Sequence, residues 1–294
     1  MNYFLSAAAG AVVAVMISIN GVLSNAVGIQ EAAIIFCLIS LIVSLIISIG
    51  KQSASKEKLP LWMYTAGIFN ALTIWFNNLA FGKITVSAIL AISLLGQAVV
   101  SAVVDHYGFF GIEKQRFDTF KLVGFIIVSL GLLVLTFPVE GDALFAVVIT
   151  LLTGFCVVLS RFLNAEVAKK RSLQVSVAWN FFVASLSMIV ISLAFYRTDV
   201  PAALRMVPRI DPLLLSGALF AVASILITNY VSPRIASYYL TLFLFIGQIF
   251  TGLILDIILV GVFSIRNFSG GVIVLIGLIF NLYCDKVGKN KQLA

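Results

Sequence analysis

Residues 96–105 read GQAVVSAVVD, and residues 247–256 read GQIFTGLILD. Each is Gly-Gln, seven mostly apolar residues and then Asp, and the second copy starts 151 positions after the first. An amide and a carboxylate on one apolar segment both need polar partners. A chain that sets up this requirement twice, at a fixed interval, is built from a repeat.

Other features keep the same interval or one close to it. With an offset of 151, Asn78 of WFNNLAFGKITVSAIL (75–90) falls on Asn229 of ILITNYVSPRIASYYL (225–240). Gly124 and Gly131 lie seven apart, as do Gly270 and Gly277. The chain therefore divides into two halves, residues 1–141 and 142–294.

Composition states what surrounds these halves. Apolar residues make up 62% of the 294 and charged residues only 11%. The mean hydropathy is +1.15, whereas about a quarter of a soluble domain is charged. That much apolar surface cannot be hidden in a water-soluble core, so the chain is an integral membrane protein.

Apolar stretches of about 20 residues, enough to cross about 30 Å of hydrocarbon, recur at 3–24, 30–50, 61–81, 84–105, 119–138, 142–163, 173–196, 212–231, 234–255 and 268–284. Ten transmembrane helices are predicted, all-α, with Pro60, Pro138, Pro212 and Pro233 at or beside span ends as helix punctuation. The first span lacks a basic leader and reads as an uncleaved helix.

Fourteen Lys and Arg residues fall on the N-terminal side of the membrane and five on the other. Both termini are therefore expected in the cytoplasm. The net charge of +7 reports topology rather than a nucleic-acid footprint. His106 is the only histidine and the three cysteines have no metal-ligand spacing, so no cofactor or metal is expected.

Five spans per half is an odd number, so the second half must enter the membrane upside down. Inverted repeats of this kind recur in secondary transporters, which bind solute near the midplane where the halves meet.

The five-plus-five duplication, the short loops and GQAVVSAVVDHYGFFG (96–111) followed by a basic stretch resemble the drug/metabolite transporter superfamily, EamA- and YdcZ-like members in particular. Those YdcZ-type members are usually half this length, so the chain resembles a fused pair. The resemblance implies export or exchange of small organic molecules. The small multidrug relatives carry a membrane-embedded Glu in their first helix. The first span here has Asn20 instead and no acid, which disfavours a one-Glu proton antiport mechanism.

Several polar residues lie within the predicted spans. Ser93, Gln97, Ser101 and Asp105 share a slowly drifting face at a spacing of four, and Gln248, Gly252 and Asp256 form the matching face. Gln97 and Gln248 fall within the hydrocarbon zone, where they either bridge helices or line a solute cavity; the two readings stay open. Asn70, Thr73 and Asn77 fall at i, i+3 and i+7 with Asn78 and Trp75 nearby, which makes this the densest polar helix of the first half; Asn77, Asn78 and Trp75 are candidate cavity residues. Trp179 beside Asn180, and Tyr238, complete the candidate cavity set, since a ring next to an amide suits an organic cation. The small-residue face Gly217, Ala221, Ser224, Thr228 and Asn229 reads as a packing surface.

Asp105, Asp256, Glu31 and Arg161 read as helix-end structural or gating residues, with Arg161 paired to Glu166 at the inner interface. The cationic side chains thus all fall at membrane edges, which favours a polar neutral, zwitterionic or cationic solute. The expectation is a secondary or facilitative carrier working by alternating access, with the lipid bilayer and a small molecule as partners. A coupling proton or ion and a homodimer are compatible with it. A channel or a non-transporting assembly protein is the alternative. A lipid-modifying enzyme ranks last, because no nucleophile-base pair, His-Glu-x-x-His or phosphate-cradling Gly loop is present.

Overall fold

The computed structural model describes residues 1–50, 59–108, 123–124, 126–127, 130–131, 134, 141–197, 200–235, 237–260 and 265–292. Among them nine long helices follow one another: α1 (Asn2–Val27), α2 (Ile29–Ser48), α3 (Ala66–Ala80), α4 (Val86–Tyr107), α5 (Gly141–Lys170), α6 (Leu173–Ile191), α7 (Gly217–Val231), α8 (Ser237–Val260) and α9 (Ile265–Gln292). The described positions within 123–134 are helical and fall on the expected fifth span.

Six stretches are long and apolar enough to cross a membrane: Asn2–Val27, Ile29–Ser48, Ala143–Lys170, Leu173–Tyr196, Pro212–Arg234 and Tyr239–Ile258. Val86–Ser101 and Phe268–Gly277 are shorter apolar stretches. The chain is an all-α polytopic membrane protein. Ile42, Leu45, Ile46, Leu152, Ile254 and Ile258 are exposed on its outer surface, a burden in water but a natural lipid-facing surface in a bilayer.

Helix α5 runs past the expected end at residue 163 to Lys170. Nothing breaks it before Ser172, whose side chain accepts the backbone N–H of Val175 and starts α6 as its N-cap.

The packing follows a rule. Helix α1 packs on α8 and α5 on α4; α3 packs on α5 and α7 on α1; α2 packs on α6 and α4 on α8. Exchanging α1–α4 for α5–α8 maps every one of these contacts onto another or onto itself. Such a pattern requires two halves of the same design laid against each other.

Glycine makes two of the crossings possible. A methyl group added at Gly247 of α8 would overlap the Ala7 carbonyl oxygen and lie 2.8 Å from its carbon. One added at Gly154 of α5 would overlap the Ser93 carbonyl oxygen and lie 2.7 Å from the Gly96 carbonyl carbon. The backbones are in direct contact at both places, which only a residue without Cβ allows. In the fifth-span region, a methyl at Gly131 would lie 2.9 Å from the Gly270 carbonyl oxygen, so the spaced glycines of the two halves also meet.

Candidate functional site

Each Gly-Gln pair divides the labour between its two members. The glycine is spent on the helix crossing, and the glutamine, one position on and about 100° around the helix, points to the centre of the bundle. Gln97 and Gln248 both line a cavity of about 130 Å3. From the first half α1 contributes Asn20, α3 contributes Asn70, Thr73 and Asn77, and α4 contributes Ser93. From the second half α5 contributes Thr153, Ser160, Arg161 and Asn164, while α7 contributes Ser224, Thr228 and Asn229. Apolar walls from Met16, Phe36, Leu90, Phe181, Ile225 and Leu244 complete it.

The most consequential lining residue is Arg161. The sequence placed it at the inner membrane edge with Glu166 as partner; the structure corrects both points. Its side chain is buried, 7% exposed. One Nη2–H donates to Gln97 Oε1 at 2.6 Å and one Nη1–H to Thr241 Oγ1 at 3.2 Å. Glu166 instead pairs with Lys169 at 2.6 Å.

The reason is helical geometry. Side chains lean toward the N-terminus of their helix, so Arg161 reaches back along α5 toward the level of Gly154, seven residues earlier on the same face, rather than out to the nearer end at Lys170. Glu166, five residues on, lies on a different face, whereas Lys169 is three residues from it. A long cation close to a helix end was thus read as interfacial when its Cβ vector points inward.

The structure separates the other candidates. Asn77 lines the cavity with Gln97 and Gln248. Asn78 is buried beside it but turns to α1, accepting from Asn20 Nδ2 at 2.6 Å and donating to the Ile29 carbonyl at 3.4 Å. Trp75 lies outside the cavity lining, its ring packed on Phe76 and Tyr196. Trp179 also lies outside the cavity, 42% exposed on the outer surface against Tyr64 and Phe182. Asn180, the next residue, is buried at the α3 crossing, where its carbonyl oxygen faces Gly67. The side chains of Tyr238 and Asp105 lie outside the described residues.

The small-residue face of α7, expected to serve packing alone, lines the cavity through Ala221, Ser224, Thr228 and Asn229. Its Ser and Thr hydroxyls are satisfied within the helix, Ser224 by the Ala221 carbonyl and Thr228 by the Ser224 carbonyl. Asn229 has no hydrogen-bond partner for its amide nitrogen or oxygen among the described residues. Asn20 of α1 and Asn70 of α3 were the polar lining residues that the sequence left undervalued. A signal was available, because each is an amide deep in an apolar span.

Asp256 does different work at one end of the bundle. Buried at the C-terminal part of α8, it accepts the backbone N–H groups of Val86 at 3.2 Å and Ser87 at 3.3 Å, and also the Ser87 hydroxyl. Thr85 accepts the Ala88 N–H at 3.3 Å. The first three donors of α4 are therefore all satisfied, and the carboxylate sits at the positive end of the helix dipole. Glu31 stands in the first turn of α2, the same electrostatic position on its own helix.

Among the described residues the fold is helical, and polar residues of two similar halves converge on a central cavity, an arrangement that suits a membrane transporter. The family is shown directly by sequence. The model of the family described as "Putative inner membrane exporter, YdcZ", within the drug/metabolite transporter superfamily, matches residues 1–134 and again 145–280. The chain belongs to that family and carries its unit twice. No curated protein matches it in sequence. Among solved structures, one crystal structure superposes with a TM-score of 0.59 over 94% of this chain and 98% of its own, at 12% identity. At that identity the likeness speaks for the fold alone.

Proposed function

We propose that this protein is a secondary or facilitative carrier that moves a small organic solute across the cell membrane, outward as the family description suggests, with both termini cytoplasmic. The halves, dividing near residue 141, alternate the access of the central cavity by rocking against each other. The observation that carries this reading is the cavity itself: polar side chains of both halves line it, and the Gly-Gln pairs of α4 and α8 each set one crossing and one lining amide. Two halves of the same design provide two packings of similar energy, one open to each side, because each half can take the other's conformation.

The expectation of a neutral, zwitterionic or cationic solute rested on amides and aromatics within the spans and on cationic side chains at the membrane edges; Arg161, buried in the cavity lining, removes the second ground. The test of the carrier reading is flux from liposomes that contain only this protein. Saturable release that a second solute competes for supports a carrier; linear leak points to a channel, and no release by folded protein ends the reading.

A further inference from the structure

We infer that the cavity selects small organic monoanions, carboxylates above all, and that Arg161 is the residue that reads the charge. The inference rests on the carrier reading above and deepens it.

The first support is an uncompensated charge. Among the described residues Arg161 is the single charged one lining the cavity, and both side chains that accept from it, Gln97 and Thr241, are neutral. Among the described residues it forms no ion pair. The nearest plausible acid on α8, Asp256, lies 15 residues beyond Thr241, roughly 22 Å along the helix at 1.5 Å per residue, and is committed to the start of α4. A guanidinium held in a membrane interior without a counter-ion is expensive. It also has five N–H donors in a fork that matches a carboxylate, and two of them hold it in place. The arrangement is stable in purpose if the negative charge arrives with the solute.

The second support is independent of Arg161. Asn70 and Asn229, from opposite halves, line the same cavity, and their buried amide nitrogens lack hydrogen-bond partners among the described residues. They are spare neutral donors, able to hold a carboxylate oxygen or a polar substituent without adding charge. The lining amides also carry partnerless acceptors, the Oδ1 atoms of Asn20, Asn77 and Asn229, so the neutral groups suit polar substituents of either kind and the one cation sets the preference for a monoanion. A dianion would leave one charge unmatched, and an organic cation would meet Arg161 with nothing negative among the described lining residues to offset it. The walls of Phe36, Phe181, Ile225 and Leu244 fit an apolar body attached to that single charge.

The test uses proteoliposomes of the full chain loaded with a defined mixture in which each apolar body occurs three times, as carboxylate, as primary amide and as amine: benzoate, benzamide and benzylamine; phenylacetate, its amide and phenethylamine; hexanoate, hexanamide and hexylamine. Release is read by mass spectrometry against protein-free liposomes.

Release in excess of the protein-free leak should be at least tenfold faster for carboxylates than for their amides, and the amines should show no such excess. Arg161→Gln should erase that preference, and Arg161→Lys, which retains the charge but loses the fork, should retain it with half-saturation raised about tenfold. If the protein-dependent excess is greatest for amides or amines, or if Arg161→Gln keeps the preference, the inference is overturned while the carrier reading stands. If nothing leaves from liposomes holding monodisperse protein, the carrier reading fails and the inference goes with it. Should Arg161→Gln not fold, the lysine variant decides, and an unchanged half-saturation counts against the inference.

Discussion

Gly96 of α4 and Gly154 of α5 face each other with no side chain between them: a methyl added at Gly96 would lie 3.2 Å from the Gly154 Cα and overlap the Leu151 carbonyl oxygen. Gly10 and Gly247 stand in the same relation across α1 and α8, where a methyl on Gly10 would lie 2.9 Å from the Leu244 carbonyl carbon. Backbone cannot yield as a side-chain tip can. Gly96→Ala and Gly247→Ala should each lower stability by more than about 2 kcal/mol, since overpacking a tight contact costs about 1–3 kcal/mol or more.

Gly252→Ala is the internal control, because its methyl would meet the Leu90 Cδ1 at 2.8 Å, the movable end of a side chain, and alanine gains about 1 kcal/mol of helix propensity. Thermal unfolding of the three variants in detergent checks the ranking, and a Gly252 variant as unstable as the other two would contradict it.

The two glutamines occupy equivalent places but carry unequal loads. Gln97 accepts from the Arg161 guanidinium, whereas Gln248 makes no side-chain hydrogen bond to the described residues. Gln97→Ala removes an acceptor from a buried cation and should cost about 1.5–3 kcal/mol. Gln248→Ala removes no such bond and should cost the solute-free protein clearly less than Gln97→Ala, about 1 kcal/mol or under. Both should weaken solute-induced stabilisation if both amides touch solute. Equal losses of solute-free stability would mean that Gln248 also bridges helices in a way the structure does not record.

How far the chain could be read before its structure depends on how local the information is. The duplicated Gly-Gln-x7-Asp segment, the apolar spans and the spaced glycines are properties of single helices, and they led directly to a helical membrane protein made of two similar parts. Which face of a helix turns inward is set by neighbours instead. Trp179 and Asn180 are adjacent in sequence, yet one lies on the outer surface and the other in a helix crossing. Arg161 misled for a related reason, since depth was judged from its Cα while its long side chain carries the charge toward the middle of α5. Asp256 was legible as a helix-end residue, but the helix that it caps is α4, 169 residues back in the chain from Asp256 to Ser87, and no local pattern announces such a partner.

The division between Trp179 and Asn77 is itself testable. Asn77 lines the cavity and its Oδ1 has no partner among the described residues, whereas Trp179 packs tilted against Tyr64 and edge-to-face with Phe182 on the outer surface. Asn77→Ala should raise the half-saturation for the transported solute about tenfold, the effect of losing one well-placed hydrogen bond. Trp179→Leu, which keeps an apolar outer face, should leave it within twofold. Flux measured on both variants at matched protein density decides, and a solute-binding defect confined to Trp179→Leu would reverse the assignment.

Asp256 and Ser87 tie the C-terminal part of α8 to the start of α4, and the chemistry of that tie separates charge from shape. Asp256→Asn keeps the size and one acceptor oxygen. It gives up the negative charge at the helix start and the second acceptor, and its NH2 group must face backbone donors. Loss of a charge-assisted bond of this kind costs about 1.5–3 kcal/mol, so unfolding should move down by several degrees. Asp256→Ala leaves the buried Val86 and Ser87 N–H groups without their carboxylate acceptor, and the loss should be larger still. Ser87→Ala removes only the hydroxyl contact and should cost least, about 1 kcal/mol. The order Ser87→Ala, then Asp256→Asn, then Asp256→Ala follows from satisfying backbone donors. If Asp256→Asn matched the wild-type protein, the charge would contribute nothing, and the cap would work by acceptor geometry alone.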